Sequence, residues 1–204
     1  PVPKEAPPPN TLSIAAAGKG RVAVRTPRAA VHEEVIEALA GLFLAGRSSG
    51  VQSWVVWEGT RSNAQQLELQ LERLGQHAQT MPLQAAAALA AREVPAPGHS
   101  EHRLPYAVDI RLAEGFDRSP DTAPLSASPA GRTLLLHAWR YGFIHRYGAK
   151  AAPPYADESY HFRYVGVAHS TLMQALGLDF ESYLAFLREE EAVTYYEGER
   201  PRFA

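Results

Sequence analysis

No cysteine occurs among the 204 residues, and that absence constrains the chain more than any other single feature. Disulfides, thiol nucleophiles and thiolate metal sites are all excluded, so the fold must be held by its apolar core. Any metal must be bound by His, Asp or Glu. The hydrophobic fraction of 46% and charged fraction of 21% suit an ordinary globular unit, and the length allows one substantial core. With a net charge of -2 and scattered Lys and Arg, the chain has no basic field for nucleic acid. No apolar run nears the roughly 20 residues that cross a bilayer. The longest, 35–45, contains Glu37 and reads as a buried amphipathic helix.

Residues 1–10 (PVPKEAPPPN) hold five prolines and little to bury, which reads as an extended linker or a disordered N-terminus. The chain starts at Pro1 without Met, which leaves room for a signal or anchor segment removed ahead of it. Residues 11–204 read as one domain. Val31, Val35, Leu39 and Leu42 predict a helix over 30–46. The β-branched and aromatic run 53–58 predicts a strand. A polar helix over 62–78, with Leu67, Leu71 and Leu74 on one face, and an alanine-rich helix over 83–92 follow. Further strands are predicted at 106–112, 143–147 and 160–165, with helices at 130–141, 168–176 and 179–190. Strands interspersed irregularly with helices predict an α+β fold: a small antiparallel β-sheet with flanking helices.

Of the eight histidines, His32, His77, His137 and His169 sit in helical patterns and read as surface or packing residues. His145 falls in a strand and His99 lies in a loop. His102 and His161 stand apart because of their neighbours. Asp109 interrupts the apolar strand around Val108 and Ile110 and faces the other way. If that face is buried, its carboxylate needs a partner. Glu158 stands three residues ahead of His161. Two His and one Asp could give zinc three ligands and leave a position for water, with Glu158 as proton acceptor; scattered polar residues at strand ends are the plain alternative.

Ser100-x-His102-x-x-x-x-Ala107-x-Asp109 resembles the SxHxxGxAxD signature of the D-alanyl-D-alanine metallopeptidases, which are grouped with lysostaphin-type peptidases and the hedgehog signalling domain. Glu158-Ser159-Tyr160-His161 resembles their ExxH element. Blocks at 97–102 (PGHSEH), 141–147 (YGFIHRY) and 161–166 (HFRYVG) are similar to the VanY-type carboxypeptidase branch. Gly59-Thr60-Arg61-Ser62 with Gln66 is similar to its GYRS segment and following Gln.

The resemblance implies a hedgehog-like α+β fold, Zn2+ bound by His102, Asp109 and His161, and Glu158 as general base and acid. It implies that Arg61 faces substrate, to stabilise an oxyanion or to pair with a carboxylate. Ser100 is then a hydrogen-bonding contact to the peptide, and Gln66 either orients Arg61 or touches substrate. The implied partner is a peptidoglycan stem peptide, and the implied location is the cell envelope. The implied reaction is removal of the C-terminal D-alanine from D-Ala-D-Ala. An L,D-carboxypeptidase acting on the tetrapeptide and a non-catalytic cell-wall-binding module are the alternatives. Three positions depart from the pattern: Pro105 replaces a Gly, Thr60 a Tyr and Tyr160 a Trp. Pro105 pushes Leu104 towards extended geometry and alters the loop between the first two ligands.

Overall fold

The computed structural model describes residues 8–113, 125–147, 160–189, 194–197 and 200–203. The chain opens with β1 (Thr11–Ser13) and a single turn, α1 (Ile14–Ala17). Then come β2 (Ala30–His32), α2 (Glu33–Ser48), β3 (Trp54–Glu58), α3 (Asn63–His77) and α4 (Leu83–Glu93). A 3-10 turn at Glu101–Arg103 leads into β4 (Ala107–Leu112). After a 3-10 turn at Leu125–Ala127, α5 (Pro129–His137) and a third 3-10 turn (Ala138–Tyr141) come β5 (Phe143–His145) and β6 (His161–Tyr164). The last elements are α6 (Val167–Leu176), α7 (Phe180–Glu189), β7 (Thr194–Glu197) and β8 (Arg200–Phe203).

The central sheet has the order β3-β4-β6-β5, and every neighbouring pair is antiparallel. Alternation along its strands sorts their residues onto two faces. Val56, Val108, Ile110 and Phe162 are fully buried on one face, where Val35, Ile36, Leu39, Leu42 and Phe43 of α2 join them in one core. Asp109, Arg111 and His161 alternate with these residues and so belong to the opposite face. A smaller cluster of Leu172, Met173 and Tyr183 joins α6 to α7.

The predicted helix over 30–46 starts later than its periodicity indicates. Residues 30–32 form β2, paired with β1 in the register Thr11↔His32. His32 is therefore a strand residue and the N-cap of α2, accepting from the Glu34 amide through Nδ1. Glu33 and Glu34 follow it in the first turn, where acidic side chains complement the helix dipole. Val31 is buried from the strand, not from the helix. Neither β1 nor β2 is long enough to show a period of its own, and the β7–β8 hairpin lies beyond the last predicted helix.

The apolar face predicted for α3 is also corrected. Leu71 is 55% exposed, and the buried residue of this helix is Gln66. Its start is well encoded: Ser62 accepts from the Gln65 amide while the Gln65 side chain accepts from the Ser62 amide. Among the histidines read as surface or packing residues, His77 pairs with Glu93 at 2.9 Å and His169 with the Tyr183 hydroxyl at 2.7 Å.

Leu39 lies at the centre of α2 with no exposed surface. Leu39→Ala is expected to lower folding stability by about 2–5 kcal/mol, since the cavity between helix and sheet can collapse only in part. Urea denaturation of both proteins measures the difference.

Candidate metal centre

The sheet register builds the site. Asp109 on β4 stands directly opposite His161 on β6, and Glu58 on β3 stands opposite Asp109 on its other side. The three side chains form a row across three strands. A β-bulge at the end of β3 contributes to it: the pairing steps from Val56↔Ile110 to Glu58↔Asp109, so that Trp57 and Glu58 together face one partner. Both residues line the same cleft.

His102 arrives from the 3-10 turn ahead of β4. Ser100 starts that turn by accepting from the His102 amide at 3.3 Å. Leu104 leaves it in extended geometry (φ -89°, ψ 142°), the path a following proline requires. The Pro105 carbonyl then accepts from the His32 amide at 2.8 Å, tying the loop to β2. Two further bonds fix His102 itself. Its Nδ1 meets the Gly59 carbonyl at 2.7 Å, and its own carbonyl accepts from the Arg61 amide at 2.7 Å. Gly59 is required here because a Cβ would lie 2.3 Å from the Ala30 carbonyl oxygen.

His102, Asp109 and His161 are all buried, and each offers one ligand atom within 4.8 Å of the others. His102 Nε2 is 3.1 Å and His161 Nδ1 2.9 Å from the same oxygen, Asp109 Oδ1. The outer ring nitrogens are already committed as donors, His102 Nδ1 to Gly59 and His161 Nε2 to Glu101 at 3.2 Å. With neutral rings, that assignment turns both inner nitrogens into lone pairs facing a carboxylate oxygen. Three acceptors converging without a proton between them fit a divalent cation. The donor set, two imidazole nitrogens and one carboxylate oxygen, suits zinc and leaves a coordination position open.

Charge on the surrounding groups is held in place. Burial would raise the Asp109 carboxyl. When the two imidazoles carry protons, the charge and hydrogen bonds of His102 and His161 outweigh it and keep the group well below the usual carboxylate range. With neutral rings a bound cation takes over that role. Burial acts the same way on Glu101. There the hydrogen bond with His161 and the guanidiniums of Arg146 and Arg163 prevail, bringing it down to about 2. Arg146 continues the chain outwards: its Nε donates to Glu101 at 2.8 Å, and its two terminal nitrogens bond Glu181 on α7. The Tyr147 ring stacks on His161 with centroids 5.2 Å apart.

The cleft over this centre has a volume of about 420 Å³, within the usual range for small-ligand sites. Arg61 lines it while 9% exposed, held by Gln66 Oε1 at 2.7 Å and Glu58 Oε2 at 2.8 Å. Of the two uses read for Gln66, the geometry contains the first. Its carbonyl orients Arg61 and its amide donates to the Pro95 carbonyl at 2.7 Å, inside the protein. Ser100 lines the cleft as well as capping the turn. Glu158 lies outside the described residues. Glu101, Arg146, Tyr147 and Glu58 were not singled out from sequence. Glu101 carried a signal inside the 97–102 block, as did Arg146 and Tyr147 inside the 141–147 block; Glu58 carried none.

A small antiparallel sheet presenting two imidazoles and a carboxylate beside a fixed guanidinium defines a metallopeptidase type of site. The chain belongs to the VanY family, described as D-alanyl-D-alanine carboxypeptidase, whose sequence profile matches residues 28–167. A D-alanyl-D-alanine carboxypeptidase of Enterococcus faecalis is 34% identical over 154 residues, which cover 72% of this chain and 52% of that protein. This chain thus spans about half the length of that relative. Among solved structures, a variant of the vancomycin-resistance D,D-pentapeptidase VanY in complex with Zn(II) is 30% identical, with a TM-score of 0.63. The match covers 76% of this chain and 84% of the VanY chain. VanYB in complex with D-alanine-D-alanine matches at 30% identity and a TM-score of 0.62, over 78% and 84% of the two chains.

Removing the acceptor for His161 Nε2 frees that ring to turn. Glu101→Ala is expected to weaken zinc affinity by about 10- to 100-fold while leaving the fold intact. Competition against a chromogenic chelator, with circular dichroism as the control, measures this.

Proposed function

We propose that this chain is a zinc-dependent carboxypeptidase that removes the C-terminal D-alanine from peptidoglycan stem peptides ending in D-Ala-D-Ala. The observation that carries the reading is the convergence of His102 Nε2 and His161 Nδ1 on one Asp109 oxygen, within the span that matches the family. The complexes of VanY with Zn(II) and of VanYB with D-alanine-D-alanine supply the metal and the substrate class.

His102, Asp109 and His161 would hold the zinc. When bound, zinc supplies Lewis-acid polarisation of the scissile carbonyl and a nucleophilic water near neutral pH. Glu158, three residues ahead of His161, takes a proton from the attacking water and delivers it to the leaving amine as the C–N bond breaks. Arg61 cannot swing freely because Glu58 and Gln66 hold two of its nitrogens. It serves as a fixed donor to the oxygen on which negative charge develops, a use that needs no rearrangement during the reaction. Ser100 contacts the peptide from the rim of the cleft.

Residues 11–204 form the catalytic unit in this reading, and the proline-rich 1–10 acts as a tether ahead of it. A stem-peptide substrate places the protein in the cell envelope. Among the described residues no helix is long and apolar enough to cross a membrane.

Incubation with stem pentapeptide and tetrapeptide, followed by mass analysis, tests the reading. The expected result is release of one D-alanine from the pentapeptide with the tetrapeptide left intact. Shortening of the tetrapeptide alone would instead identify an L,D-carboxypeptidase, and binding without release a recognition module. Glu158→Gln is expected to retain zinc and abolish hydrolysis. Arg61→Gln is expected to lower kcat by about 100- to 1,000-fold.

A further inference from the structure

We propose that Arg111 is a specificity residue that binds a carboxylate of the substrate peptide in the same cleft. The inference deepens the carboxypeptidase reading and rests on it. Arg111 lies two residues along β4 from Asp109, hence on the same face of the sheet and about 7 Å further along the strand. It lines the cleft together with Trp57 and Tyr160.

Its surroundings set it apart from the other guanidiniums of the cleft. Arg61 has Glu58 at 2.8 Å, Arg73 has Glu93 at 3.4 Å and Arg146 has Glu101 at 2.8 Å. Arg111 has no carboxylate within ion-pair distance among the described residues; its Nε, like that of Arg61, is buried without a hydrogen-bond partner. What it has instead is aromatic support. Its guanidinium carbon lies 3.8 Å from the centre of the Tyr160 ring and 4.8 Å from that of Trp57. The bulge in β3 is what turns Trp57 towards it.

Ring faces engage the flat side of a guanidinium and leave its N–H edge unsatisfied. That edge is the part that receives a carboxylate through paired hydrogen bonds. The aromatic contacts hold the plane in one orientation, so little order remains to be created on binding. With no carboxylate beside it among the described residues, the guanidinium charge is left for an anionic ligand to neutralise at the terminal nitrogens. Two carboxylates of a peptide substrate could fill this role, the C-terminal one and that of an acidic side chain near the scissile bond.

Calorimetry on the zinc-loaded protein tests this, using D-Ala-D-Ala peptides made resistant to cleavage by N-methylation of the scissile amide. Three forms are compared: free acid with an acidic side chain, C-terminal amide, and side-chain amide. One amide is expected to bind the wild type at least 10-fold more weakly than the acid, and which one identifies the carboxylate recognised. Arg111→Met should weaken the free acid by a similar factor and cause no further loss for that amide. Arg111→Lys keeps the charge but loses the fork and should fall between the two; if Arg111→Met does not fold, the lysine variant's acid-to-amide ratio decides. Equal wild-type affinities for all three forms, no binding of any, or equal losses for acid and amide in the variants would each overturn the proposal. Preferential acid binding without cleavage of the unmodified peptides would sink the carboxypeptidase reading alone. Cleavage without acid preference would sink only the role of Arg111.

Discussion

A single carboxylate oxygen, Asp109 Oδ1, receives two imidazole nitrogens, and the architecture around it exists to keep that meeting in place. Asp109 and His161 are cross-strand partners, so their approach is as secure as the register between β4 and β6. A slip of one residue would turn His161 into the core and Phe162 into the cleft. The apolar face resists that slip, because Val108, Ile110 and Phe162 are fully buried against α2. Packing on one side of the sheet thereby sets coordination geometry on the other.

Beyond the three converging side chains, each imidazole is anchored from outside. His102 leans on a backbone carbonyl, which cannot be altered by changing the side chain at Gly59 without first meeting Ala30. His161 leans on Glu101, and Glu101 is compensated by Arg146 and Arg163. Arg146 also reaches Glu181, so α7 is coupled electrostatically to the centre although it contributes no ligand. A half-buried carboxylate with this many cationic partners remains ionised, which keeps His161 Nε2–H engaged.

The four strands of the central sheet were legible because each is a short β-branched or aromatic run, α2 was legible from its period and α4 from its alanine content. What escaped was local and short. β1 and β2 have three residues each, too few for alternation to register, so Val31 was absorbed into the helical pattern that follows. The leucines of α3 have the correct spacing for burial, yet the helix turns Gln66 inward to hold Arg61. Polar burial of that kind is chosen by a tertiary partner and leaves no trace in periodicity.

Taken alone, the residues determine that any metal here must be held by His, Asp or Glu, and that an aspartate in an apolar strand needs a partner. Their resemblance to a metallopeptidase signature implies His102, Asp109 and His161 as the set, and the absence of thiols removes the cysteine-based alternatives. Only the folded chain decides which ring nitrogen faces inward, which arginines are neutralised and which has no carboxylate beside it among the described residues. Those choices depend on strand register, a bulge at Trp57 and contacts between segments up to 60 positions apart. Linear order does not encode such distances, because they are set by how the core packs.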